Sequence, residues 1–238
     1  MEFLESANYD WMDMLNFYER PFRAKLIPSK VWKDLDRYKN DPKGLSNYFR
    51  KWRTKVEWRP QTSKAKVYKQ YIGVGGEYDP NDRQCIIQIY TTHFSTFHFD
   101  DDTWDRFKYK LIQTLTHELI HFMQYDRRYD ESSNYVVPYK TVGKAIKDAE
   151  RRYLSEFDEI QAYAHCVLLD FKTRKPNIPL ETLITRAKKK CDSPTLKYYL
   201  KTFDNDFRNN VAIPMLLRHV AKWDRKYERV IRASRRPK

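Results

Sequence analysis

Residues 117 to 121 read His-Glu-Leu-Ile-His. On a helix, residues four apart share a face, about 6 Å apart at Cβ. Two imidazoles at that spacing converge on a single ion at roughly 2.0 to 2.1 Å each, the zinc–nitrogen distance. Glu118 stands one step round the helix. It is badly placed as a co-ligand but reaches a water on the open side of the ion. A carboxylate there takes the proton of that water as it attacks a carbonyl, then delivers it to the leaving amine. The metal's part is to lower the pKa of its water towards about 7. Uncharged Thr114, Leu115, Leu119, Ile120, Phe122 and Met123 flank the pair, so the helix is expected to be buried where a metal site needs support. The bland alternative is a core helix with incidental histidines. It leaves three polar side chains on a buried helix in want of partners.

Two imidazoles alone hold zinc poorly, so a third ligand must come from elsewhere. No HxxGxxH extension follows His121, and no histidine occurs between His121 and His165. The candidates are Glu159, Glu156, Glu131 and His165. Read on a helix, Glu159 shares its face with Ser155, Ala162 and Cys166, whose small side chains permit a close approach. Glu156 shares its face with Tyr153, Ile160 and Val167 and is the second choice. A donor to a developing oxyanion is also needed, commonly Tyr or His. Tyr163, Tyr153, Tyr135 and His165 qualify, and Tyr163 is taken first. His93 and His98 read as exposed loop histidines and Cys166 as core.

The elements that must position these groups follow from periodicity. Trp11, Met14, Leu15 and Tyr18, then Val31, Trp32, Leu35 and Tyr38, recur at helical spacing, interrupted by Pro21, Pro28 and Pro42. From Val56 the pattern changes. Ala65–Ile72 and Gln84–Thr91 are rich in β-branched and aromatic residues, and GVGGEYDPNDR between them is dense in turn formers. Two or three strands are expected, with CIIQIYT packed on both faces. Asp101, Asp102 or Thr103 starts a helix whose apolar stripe, Trp104, Phe107, Leu111, Leu115, Leu119 and Phe122, runs through about Gln124. After a polar excursion, a second helix is expected from about Lys147 to Phe171. Further helices follow up to Lys190, after Ser193, and from about Val211, the last long and basic.

Strand, turn, strand, an aromatic-rich link and a helix bearing HELIH together resemble the minimal zincin metallopeptidase domain. More narrowly, the chain is similar to short HExxH proteins often encoded by bacteriophages. In those a later helix carries a Glu in a context like EIEAYA, matched here by Glu159-Ile160-Gln161-Ala162-Tyr163-Ala164. Gln161 stands where that context commonly has an acid. The resemblance covers residues 56 to 172. It implies zinc held by His117, His121 and Glu159, with Glu118 as general base, in a gluzincin-like hydrolase that cuts peptide bonds. It also implies an extended peptide substrate aligned on a strand edge by β-addition. The expected fold is α+β: a small, mostly antiparallel sheet, the site helix, then a second ligand-bearing helix. Residues 1–55 and 173–238 are expected to be helical additions to a core of 56–172.

Composition bounds these readings. The chain has 238 residues, 16% of them aromatic, enough large side chains for a core. Five glycines argue against phosphate-cradling Gly-rich loops and propellers. Cys85, Cys166 and Cys191 are scattered and odd in number, which is no disulfide framework. No stretch approaches the roughly 18 to 20 apolar residues of a membrane span. The acidic opening MEFLESANYDWMDML does not read as a secretory signal, so a cytoplasmic setting, or a virion for a phage protein, is expected. The net charge is +14, and from Arg218 to Lys238 nine basic residues face two acidic ones, half of the excess. Such a tail attracts nucleic acid or acidic partners. Three functions therefore stand: a zinc peptidase, a zincin-like binding or structural component, and a nucleic-acid-associated basic protein. An intact Glu118 favours the first. The absence of a recognisable DNA-binding motif disfavours the third.

Overall fold

The computed structural model describes residues 28–60, 73–91, 99–128, 135–175, 178–187 and 189–234. Among them the chain is α+β, with eight α-helices and one three-stranded sheet. The described residues fall into two compact units, one ending at Asp126 and the other starting at Arg127.

In the first unit, α1 (Pro28–Leu35) and α2 (Pro42–Phe49) each run on into a single 3-10 turn. Asp41 caps α2 by accepting from the Gly44 amide at 2.9 Å, and Pro42 enters at the position where a missing N–H costs nothing. Left-handed Arg53, at φ 50°, then turns the chain into β1 (Thr54–Pro60). The hairpin β2 (Gly73–Asp79) and β3 (Gln84–Thr91) follows. Its turn is organised by the Asp79 carboxylate, which accepts from the Asn81 amide at 2.9 Å.

The sheet order is β1-β3-β2. β3 pairs in parallel with β1, Thr54 opposite Cys85 through Pro60 opposite Thr91. It pairs antiparallel with β2, Gly73 opposite Tyr90 through Asp79 opposite Gln84. The sheet is therefore mixed, not mostly antiparallel. A second correction concerns GVGGEYD, expected as turn. It forms strand β2, because pairing with the apolar β3 outweighs the poor strand propensity of glycine. The turn proper is confined to the residues after Asp79. As its composition implied, β3 is buried on both faces, at Cys85, Ile87, Gln88 and Ile89. The expected strand at Ala65–Ile72 and the stripe from Trp11 to Tyr18 lie outside the described residues.

α3 (Asp101–Arg127) carries the histidine pair. Asp100, one residue earlier than expected, supplies the cap: its carboxylate accepts from the Thr103 amide at 2.7 Å. The predicted stripe from Trp104 to Phe122 is buried throughout. Lys108 is buried as well, held by Asp105 at 3.0 Å and by Asp36.

The second unit is helical: α4 (Ala145–Leu154), α5 (Phe157–Arg174), α6 (Leu180–Ala187), α7 (Pro194–Thr202) and α8 (Ala212–Ser234). The single helix expected from Lys147 to Phe171 is thus two. Residues 135–137 pair with 155–157, Val137 donating to the Ser155 carbonyl at 2.8 Å and Phe157 to that of Tyr135 at 3.0 Å. That bridge holds Glu156 in extended backbone (φ −66°, ψ 133°), so α4 stops and α5 restarts after it. Around α5 lie α8, α7 and α4. Trp223 of α8 donates its indole N–H to the Gln161 carbonyl at 3.1 Å. Buried Asp170 accepts from Ser193 Oγ at 2.6 Å and from the Thr195 amide at 3.0 Å, which fixes the start of α7. Buried Arg151 ties α4 to the Thr202 carbonyl at 2.8 Å and to that of Lys140 at 2.6 Å. Among the described residues no helix is long and apolar enough to cross a membrane.

Candidate metal centre

The site is built from the middle of α3. From Leu115 to Gln124 every residue of the helix is buried, so the polar groups there are held inside protein. Thr116 turns its hydroxyl back to the Ile112 carbonyl at 2.7 Å and satisfies itself within the helix. His117 and His121, one turn apart, bring their Nε2 atoms to 3.0 Å, with the rings nearly perpendicular at 80°. Two nitrogens on one tetrahedral zinc stand roughly 3.3 Å apart, given bonds of about 2.05 Å each. The pair is thus within a few tenths of an ångström of the spacing a shared ion imposes.

The outer nitrogen of His121 is also engaged: Nδ1 stands 2.8 Å from the Oε1 atom of fully buried Gln124. With an amide oxygen as its partner, Nδ1 carries the proton. Nε2 then keeps its lone pair, the tautomer that ligates metal.

Glu118 is buried at 5% exposure on the same stretch of helix. Its side chain lies against β2, where a Cβ added to Gly76 would stand 2.6 Å from Glu118 Oε1 and 2.6 Å from Thr114 Cγ2. The carboxylate also acts on β3: burial pushes the Cys85 thiol well up, and the Glu118 charge adds to the rise.

The acceptor oxygens of Glu159 belong to the first turn of α5, and the residue is buried. Two imidazoles and a carboxylate are a donor set that suits zinc. Of the other candidates, Glu156 is the cap residue before α5, with its backbone engaged in the bridge to Val136. Glu131, His93 and His98 lie outside the described residues. His165 is buried with its ring edge-on to Trp223 at 5.3 Å, and Cys166 is core as expected.

Tyr163 lies one turn beyond Glu159 on α5, half-buried in a row of tyrosines. Its ring meets Tyr153 edge-on at 6.3 Å and Tyr199 at 5.5 Å. Burial, followed by the charge of Glu159 and the neighbouring Tyr163, pushes the Tyr153 hydroxyl upward, so it stays protonated and able to donate. Tyr199 is raised by burial first, then by Tyr163 and Glu159. Tyr135 is half-exposed, its ring beside Phe157.

Sequence reasoning missed Gln124 and Gly76. Gln124 is three residues beyond His121, a spacing that puts both on one face and could have flagged it. Gly76 carried no usable signal, since its role depends on which strand lies against the helix. Compared with known proteins, the chain matches no family model, no curated protein and no solved structure.

Proposed function

We propose that the protein is a zinc-dependent peptidase that hydrolyses peptide bonds, with His117, His121 and Glu159 as ligands and Glu118 as general base. The observation that carries this reading is the convergence of the two Nε2 atoms of His117 and His121 at 3.0 Å on one buried face of α3. Zinc held there supplies an electrophile and a water acidic enough to be deprotonated near neutral pH.

The rest is chemistry of the chain's own residues. Gln124 holds His121 in the tautomer that offers Nε2. Glu118 accepts the proton of the attacking water and returns it to the amine that leaves. Tyr163, a turn from Glu159, is the proposed donor to the carbonyl oxygen as charge builds on it, and Tyr153 presents a second protonated hydroxyl. Burial of the helix on all sides strengthens each of these electrostatic contacts.

The test is Glu118→Gln, nearly isosteric and without the base. A proteome-derived peptide library is incubated with zinc-loaded wild type and variant and read by mass spectrometry. Cuts made by wild type and absent in the variant, at equal zinc content, are expected. Losing a general base typically costs about 10²- to 10⁴-fold in rate. Zinc bound with no cuts in either sample would replace the peptidase with a zincin-like binding component.

A further inference from the structure

We propose that Gly76 is the positioning residue for Glu118: the bare backbone at this point of β2 is what lets the carboxylate occupy its place between α3 and β2. The inference rests on the peptidase reading for its kinetic consequence, though not for its geometry.

A glycine in the interior of a strand weakens it, so it needs a reason. Backbone conformation is not that reason, because among the described glycines only Gly143 has positive φ. Space is. A Cβ at Gly76 would meet Glu118 Oε1 at 2.6 Å, Glu118 Cγ at 2.7 Å and Thr114 Cγ2 at 2.6 Å, all closer than real Cβ contacts come. Successive strand residues face opposite ways. Neighbouring Gly75 accordingly faces elsewhere, and a Cβ there would find only ordinary contacts, 3.5 Å to the Tyr90 ring and 3.9 Å to Gln88 Oε1. Of two adjacent glycines, one is dictated by its neighbours and the other is not.

What yields to a Cβ at Gly76 follows from the side chains opposite. Thr114 is β-branched and stiff on its helix. Glu118 is long, and its carboxylate is the freest of the crowded groups. Ordinary contact begins at 3.4 Å, so Oε1 must retreat by roughly 0.8 Å. Glu118 Cγ and Thr114 Cγ2 must give as well, so the stem of Glu118 shifts together with its carboxylate. The cost falls on the group that moves the proton, and a misplacement on the order of 1 Å is worth about 10²-fold in rate.

The experiment compares Gly76→Ala with Gly75→Ala in the full-length, zinc-loaded chain. It is read on a peptide that wild type cuts in the library screen. Gly76→Ala is expected to lower kcat about 10²-fold, with KM within a factor of about three and zinc content unchanged. Gly75→Ala should behave as wild type. Thr114→Ser in the Gly76→Ala background relieves the threonine contact and should not restore kcat. Melting temperatures supply a readout that needs no catalysis. Gly76→Ala should melt below Gly75→Ala, and the gap should narrow when both are made in a Glu118→Ala background, the Thr114 contact keeping the remainder. A kcat for Gly76→Ala near wild type, recovery through Thr114→Ser, or a melting gap of equal size in both backgrounds would each overturn the proposal. Should wild type bind zinc and cut nothing, the peptidase reading fails, and the melting comparison still decides whether Gly76 positions Glu118.

Discussion

His121 Nδ1 and Gln124 Oε1 stand 2.8 Å apart inside α3, with Gln124 excluded from solvent. The contact fixes the ring's orientation and its tautomer before any ion arrives. An imidazole so held loses less freedom on ligation than a mobile one, and its Nε2 is the more basic for donating Nδ1–H to an oxygen.

Replacing Gln124 by Leu keeps the volume and removes the acceptor. Zinc affinity is expected to fall about 10- to 100-fold, the usual cost of losing an outer-shell partner. Competition with a chromophoric chelator measures it. Gln124→Glu keeps an acceptor and should bind zinc at least as well as wild type. Equal affinity in wild type and Gln124→Leu would show that the contact does not tune the site.

Much of this was legible in the residues. HELIH placed the histidine pair on a helix because residue types, spacing and stripe all agreed, and the burial of Trp104 to Phe122 followed from the same periodicity. Glu159 was singled out from the small residues Ser155, Ala162 and Cys166 on its helical face, of which Ser155 falls before α5 begins. The break at Glu156 was not legible. It comes from pairing with residues 135–137, which a helical pattern running through Ser155 cannot reveal. Strand β2 was hidden for a related reason: it forms by pairing along its length with β3, and its own sequence reads as turn. Local patterns thus exposed the candidate ligands, while partners distant in sequence decided how the elements around them end.

His219 on α8 gives a prediction free of metal. Burial first, then the charges of Lys222 and Lys226, lower its pKa to about 4, and its ring packs edge-on to Phe157 at 5.6 Å. A base depressed in the folded state binds its proton more readily unfolded. Stability is therefore lost as pH falls from about 6.5, the unfolded value, towards 4. Between pH 7 and pH 5 the loss from this group is about 2 kcal/mol. Urea unfolding at both pH values should show wild type losing more than His219→Phe by that amount. The same pH response in both proteins would assign the effect to other groups.

The basic C-terminal helix is proposed to contact nucleic acid backbone. Its two acids, Asp224 and Glu228, are engaged by Lys172 of α5 at 2.7 and 3.3 Å, while Arg218 and Arg225 are exposed. If about four phosphates are neutralised, affinity for a labelled duplex should drop roughly 10²-fold between 50 and 200 mM salt. Fluorescence anisotropy should show a shallower salt slope for the pair Arg218→Gln with Arg225→Gln, and weaker binding after deletion of residues 232–238. Binding indifferent to salt and to both changes would leave the stretch as a solvated helix.

The last prediction concerns the third ligand, where sequence offered both Glu159 and Glu156. Glu159 is in the first turn of α5 and buried. Glu156 is outside the helix, spending its backbone on the bridge to Val136. If Glu159 ligates, Glu159→Ala should weaken zinc by more than about 10²-fold, beyond the loss expected for an outer-shell partner. Glu156→Ala should bind as wild type does. Binding confined to the folded state also stabilises it, by about 2.7 kcal/mol when free zinc is 100 times the dissociation constant. Wild type and Glu156→Ala should therefore melt higher with zinc than with chelator, whereas Glu159→Ala should melt alike in both. The two measurements guard against each other, since a variant that merely unfolds would show a low melting temperature under every condition. Zinc retained by Glu159→Ala and lost by Glu156→Ala would move the ligand from the first turn of α5 to the residue that caps it.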